Sequence, residues 1–157
     1  MSVLKNKRRE SSVTYVNNAY NIYIQTLEFV SRLSSRYSRI MATDVTGVAW
    51  DALRFTESAN SIFPSDVNSI RLREEYLLKA RASIQSLDVA LSICYDLLMK
   101  NPSGAFTRSN GKDVDAVEAV KKLDSLAQSL GVMIDTESSM ITKVIQSDKE
   151  RLKKLVS

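Results

Sequence analysis

Between residues 66 and 100 the apolar side chains keep a single rhythm. Ile70, Leu77, Ala80, Ile84, Leu87, Leu91, Cys94 and Leu98 follow one another at intervals of three and four after a first step of seven. Residues three and four apart share one face of an α-helix, so this run reads as a helix with one inward edge. A strand has no use for it, because strand faces alternate every two residues. Asn101-Pro102-Ser103-Gly104 then stops the helix with both kinds of breaker.

Three further segments carry the same kind of periodicity. Over residues 12–41, Val13, Val16, Tyr20, Tyr23, Leu27, Val30, Ser34, Tyr37 and Met41 form a seam, widened by a second stripe of Ile22, Phe29, Leu33 and Ile40. Over residues 44–61, Val45, Val48, Ala49, Ala52, Leu53, Thr56 and Ala59 predict a short helix, with Thr43 or Asp44 as its N-cap. Pro64 then ends that stretch, and Ser65 or Asp66 can cap the next. Residues 113–155 hold two stripes, one from Val117 through Ile134 to Ile145 and one from Leu123 through Met133 to Val144. Gly131 marks a point where this last helix can bend or approach a neighbour closely.

Four amphipathic segments and three connections predict an all-α protein, an up-down four-helix bundle with three long helices and one short. The expected division is a flexible basic arm at residues 1–11 and a bundle domain at residues 12–157. With two Pro and four Gly in 157 residues, the chain lacks the punctuation of an all-β fold.

The chain contains no His. That excludes Ser-His-Asp triads, Cys-His dyads, the HExxH zinc site and the Glu-x-x-His motif of di-metal bundles. Acid pairs occur at Glu74-Glu75, Asp113 with Asp115, and Asp135 with Glu137, while Asp88 and Asp124 lie near the seams. Either of the last two reads as a satisfied polar group or a partner for Arg81. Cys94 reads as a small buried hydrophobe. Neither Ser103-Gly104 nor Asn110-Gly111 matches a phosphate-cradling loop. The expectation is a non-enzymatic protein with no cofactor and no metal.

Charge is segregated along the chain. The net charge is +4. Residues 1–40 hold seven cations against two acids, a net +5; residues 41–66 are net −3; residues 143–157 are net +3. Lys5, Lys7, Arg8 and Arg9 make a basic start, and Arg32, Arg36 and Arg39 fall at i, i+4 and i+7 on one face of the first predicted helix. Those seven residues are the candidate nucleic-acid-binding set, because arginines with no acid interleaved suit phosphates. The alternative is a solvated face beside a basic tail. Tyr20, Tyr23 and Tyr37 lie on the predicted seam and read as packing residues. Trp50 serves either the core or a subunit contact.

The third helix contains Lys79-Ala80-Arg81-Ala82-Ser83-Ile84-Gln85-Ser86-Leu87-Asp88-Val89-Ala90-Leu91, and the basic start is followed by a helix ending Arg-Leu-Ser-Ser-Arg-Tyr-Ser-Arg. In these features the chain resembles a bacterial four-helix-bundle family. That family includes the accessory variability determinant of diversity-generating retroelements and proteins encoded in intervening sequences of 23S ribosomal RNA. The resemblance implies an accessory protein that forms a homo-oligomer, a pentamer in the retroelement members. It also implies binding to RNA or DNA and to the element's reverse transcriptase, in support of mutagenic copying of template RNA into cDNA. It assigns no binding residues. The long fourth helix and the 101–111 loop depart from the family pattern. The alternative reading is a helical protein-protein adaptor, or a ribosomal-RNA-associated bundle without a retroelement role. No leader segment and no stretch of about 18 apolar residues is seen, so a cytoplasmic protein without a membrane partner is expected.

Overall fold

The computed structural model describes residues 14–106, 110–112 and 114–157. The expected basic arm, with Lys5, Lys7, Arg8 and Arg9, lies outside the described residues. Among them the chain forms α-helices α1 (Thr14–Val30), α2 (Ser35–Asn60), α3 (Val67–Met99) and α4 (Ala116–Val156), with a 3-10 turn at Pro102–Ala105 and no strand. Each helix packs on the next, and α1 also packs on α4. The arrangement is all-helical and bundle-like.

The α3 seam is the inward edge that its rhythm predicts: all eight residues are at most 7% exposed. Asp66 caps the helix. Its side chain accepts from the Ser69 backbone N–H at 2.8 Å, and the Ser69 hydroxyl accepts from the Asp66 N–H at 3.0 Å. Part of α3 also reaches a mean hydropathy of 1.2 over 18 residues, apolar enough by composition to cross a membrane. In this fold Ile84, Leu87 and Cys94 of that helix pack in the core.

The first two helices differ from the expectation. The predicted helix over 12–41 breaks at residues 31–34, and α2 starts at Ser35 and runs unbroken through the expected cap at Thr43 and Asp44. The short helix is therefore α1, with 17 residues, rather than the second, with 26. The break is made by serines. The Ser31 hydroxyl donates to the Glu28 carbonyl at 2.6 Å, and the Ser34 side chain accepts from the Tyr37 N–H as the α2 N-cap. Serine competes for backbone groups in this way without any Gly or Pro to signal it. The buried face of α1 centres on Ile22 and Phe29 of the second stripe. The buried α1 residues are Tyr15, Val16, Ala19, Ile22, Thr26, Phe29 and Val30, whereas Tyr20 and Leu27 of the predicted seam are 54% and 38% exposed.

α4 is one helix of 41 residues that continues through Gly131. A Cβ at Gly131 meets nothing within 4 Å, so this glycine serves no close helix contact. Asp115 caps α4, and Lys153 and Lys154 occupy its last turn, where the helix dipole favours cations.

Two apolar clusters make up the interior. The larger includes Ile22, Phe29, Ala49, Leu87, Cys94, Leu123 and Leu130; the smaller includes Tyr15, Val16, Ala59, Leu77, Ala80, Ile141 and Ile145. Polar residues occupy the level between them. Thr56, fully buried, donates its hydroxyl to the Ala52 carbonyl at 2.7 Å. Glu137, also fully buried, accepts from Asn18 Nδ2 at 2.8 Å through Oε2, while its Oε1 has no partner. Burial pushes the Glu137 carboxyl up to about 7, only partly opposed by the Asn18 hydrogen bond. Below the smaller cluster, the Arg73 Nε donates to Asp148 Oδ2 at 2.7 Å, and Arg73 Nη1 donates to the Ile62 carbonyl at 3.2 Å. The core carboxylates are thus Glu137 and Asp148. Asp88 and Asp124, read as near-seam groups, are exposed; Arg81 bonds Thr142 instead, and Asp124 accepts from the Tyr95 hydroxyl.

Two outcomes follow from these assignments. Phe29→Ala should cost about 3–5 kcal/mol in denaturant unfolding and Leu27→Ala less than about 1 kcal/mol, whereas the sequence spacing alone places both on the apolar face. Glu137 binds its proton more tightly folded than unfolded, so its share of stability is full below about pH 4.5 and is lost as pH rises through about 7. The stability difference between the native chain and Glu137→Gln should therefore shift by about 3 kcal/mol in favour of the variant between those two pH values, measured by urea melts.

Candidate nucleic-acid interface

The predicted arginine face does not survive the serine break. Arg32 lies in the 31–34 connection, and Arg36 and Arg39 lie in the first turns of α2. Arg32 is occupied by the fold itself. It pairs with Glu28, one helical turn back in sequence and one of the two acids counted in residues 1–40. Its Nη1 reaches the Ala105 carbonyl at 3.5 Å, and its guanidinium lies 4.6 Å from the Phe106 ring centre. Phe106 is buried, and Lys122 of α4 sits 5.4 Å from the same ring. Arg32 therefore ties the α1–α2 connection to the segment that joins α3 and α4.

Arg36 and Arg39 remain exposed, one turn apart on α2, and have no ion-pair partner among the described residues. The contacts of Arg32 place them at the end of the molecule where α3 finishes and α4 begins. That end carries cations from other segments: Lys100 at the α3 C-cap, Lys112 in the loop, and Lys121 and Lys122 in the second turn of α4. Of these, Lys122 pairs with Glu118 at 3.5 Å, while Lys100, Lys112 and Lys121 have no ion-pair partner among the described residues. Asp115 is the acid at the α4 N-cap, and its side chain is turned to the Glu118 N–H. Five cations from four segments, without ion-pair partners among the described residues, thus lie toward one end, where Asp96 and Asp124 stand one turn from Lys100 and Lys121.

Sequence reasoning missed Lys100, Lys112 and Lys121 because each stands alone in its own stretch of chain. Only the return of α3 and α4 to the α1–α2 connection brings them together. The loop geometry that does so is specific. Pro102–Ala105 forms a 3-10 turn, the Val114 N–H donates to the Phe106 carbonyl at 3.2 Å, and Ala105, Phe106 and Val114 are buried under the loop.

A second basic group, Lys149, Arg151, Lys153 and Lys154, lies in the last turns of α4. Ile145, just before it, shares a cluster with Tyr15 at the start of α1. Since α1 is about 25 Å long at 1.5 Å per residue, the two basic groups are separated by at least the length of that helix. Lys149 and Lys153 are in part neutralised, by Glu74 at 3.5 Å and Glu150 at 3.2 Å.

Cys94 is fully buried, and burial pushes its thiol up from its ordinary value. Among the described residues no group of three His, Cys, Asp or Glu side chains is placed to hold a metal ion. Comparison with protein-family models, with curated proteins and with solved structures finds no match for this chain.

The different fates of the three arginines can be separated by thermal melts. Arg32→Ala should destabilise by about 1–2 kcal/mol through lost packing on Phe106 and the lost tie to Ala105, whereas Arg36→Ala with Arg39→Ala should stay within about 0.5 kcal/mol.

Proposed function

We propose that the protein is a non-enzymatic, nucleic-acid-binding accessory protein built on an up-down four-helix bundle. The observation that carries this reading is the convergence of Arg36, Arg39, Lys100, Lys112 and Lys121, without ion-pair partners among the described residues, on one end of the molecule. Cations left unpaired at a shared surface suit a phosphate backbone, whose condensed counterions they displace on binding. Paired charges such as Arg32 add little, because their partner acids must be given up first.

The up-down order is supported by the pairing of helix ends. The start of α1 shares a cluster with the end of α2, the first half of α3 and the second half of α4. The resemblance of residues 79–91 and of the arginine-serine run to retroelement accessory proteins supports the finer reading. In that reading the protein holds template RNA or its cDNA and engages a reverse transcriptase. A cytoplasmic homo-oligomer belongs to the same proposal. Tyr20, Ile24 and Leu27 fall at i, i+4 and i+7 on the outer face of α1, and Trp50, 49% exposed, packs on Tyr23 at 5.6 Å between ring centres. An aromatic and aliphatic face of this kind suits a contact with a second copy or with the polymerase.

Sedimentation velocity with fluorescent single-stranded RNA tests binding and self-association together. The native chain should bind with a log–log salt slope of about −0.7 per phosphate contact, and Arg36→Glu with Arg39→Glu should reduce that slope by about 1–2 and weaken binding on every sequence tried. Unchanged affinity and slope in the double variant would remove α2 from the interface. A chain that stays monomeric at micromolar concentration with and without RNA would remove the oligomer.

A further inference from the structure

A cavity of about 310 Å³ opens between α3 and α4. Its floor is the core itself: Phe29, Leu91, Leu130 and Ile134, each at most 7% exposed. The space exists because α4 places Ala127 and Gly131 opposite Ser92 of α3, and a Cβ on Gly131 would still meet nothing within 4 Å. The rim is acidic. Asp88 and Asp96 come from α3 and Asp124 from α4, and no basic side chain lines the cavity. None of the three has an ion-pair partner among the described residues. The Tyr95 hydroxyl donates to Asp124, which bridges the two helices at the rim and holds that carboxylate in place.

We propose that this groove binds a small organic ammonium with an apolar body. The body lies on Phe29, Leu91, Leu130 and Ile134, and the cationic head sits at the end where Tyr95, Asp96 and Asp124 meet, with Asp88 about two turns away along α3 adding to the negative field. The volume is at the small end of ligand pockets, which selects a compact molecule over a helix or strand of a partner. Three carboxylates disfavour phosphates and carboxylates, so this ligand is opposite in charge to the one proposed for the basic end, although Asp96 and Asp124 stand one helical turn from Lys100 and Lys121. The Tyr95 ring, also at the lining, adds a face on which an ammonium can rest.

The test uses the full chain and three probes that share one body: 4-phenylbutylammonium, 4-phenylbutanol and 4-phenylbutanoate, followed by calorimetry and saturation-transfer NMR. The ammonium should bind with a dissociation constant below about 1 mM, the alcohol at least about tenfold more weakly, and the carboxylate not detectably. Gly131→Leu should fill the groove and abolish binding while leaving the melting temperature unchanged or raised, because glycine within a helix is unfavourable. Asp88→Asn with Asp96→Asn, two exposed positions, should weaken the ammonium about tenfold and leave the alcohol unchanged. Equal binding of ammonium and alcohol would overturn the proposal. So would ammonium binding that persists in Gly131→Leu, which would be attraction to acidic surface alone, and so would absence of ammonium binding up to about 10 mM.

Discussion

The burial of the α3 seam is the constraint on which the other elements depend. Leu77, Ala80, Leu87 and Cys94 are fully buried, and Ile70 and Ile84 nearly so. Each large aliphatic side chain among them contributes about 2 kcal/mol relative to exposure. α2 and α4 each lie along this helix, and α1 closes the remaining side by packing on both. The seam also divides the interior in two. Leu77 and Ala80 belong to the smaller apolar cluster, and Ile84 through Leu98 to the larger. Thr56 and Glu137 occupy the level where the two meet. A buried carboxyl there opposes stability above its raised pKa, yet it gives α1 a polar partner at Asn18.

How much of this could be read from residues alone varies by helix. α3 was legible because its rhythm runs without exception and both of its ends carry strong signals, Pro64 with Asp66 and Asn101 with Pro102. α1 and α2 were not legible as two helices. The three-four spacing continues straight through Ser31–Ser34, and serine hydroxyls break a helix by capturing backbone groups, an effect that periodicity does not register. Within α1 the buried face centres on Ile22 and Phe29 of the second stripe, which Tyr15 joins seven residues earlier, so Tyr20 of the seam faces outward. Glu137 was legible as part of an acid pair but not as a core residue, because the apolar stripes of α4 simply step over it. Its position between Ile134 and Ile141, three and four residues away, was the available signal.

The candidate site was legible in part. Arg36 and Arg39 are exposed and have no ion-pair partner among the described residues, while Arg32 became a structural tie through Glu28, Ala105 and Phe106. The lysines that join them come from the end of α3, the loop and the start of α4. No count along the chain could have gathered these, since only tertiary return brings them together. The result is a molecule with polarised surfaces. One end offers unpaired cations, the α3–α4 groove offers carboxylates, and the outer face of α1 offers apolar side chains with Trp50 beside it.

The central claim is that the end formed by α2, the 100–115 connection and the start of α4 is the surface that meets nucleic acid. Amide chemical-shift mapping of the isotope-labelled chain, titrated with single-stranded RNA, tests it most directly. The account predicts shifts concentrated at residues 35–40, 100, 110–112 and 118–122, with Asp88 and residues 130–145 of α4 unmoved. Shifts centred on the acidic groove, or on the outer face of α1 with α2 silent, would contradict it.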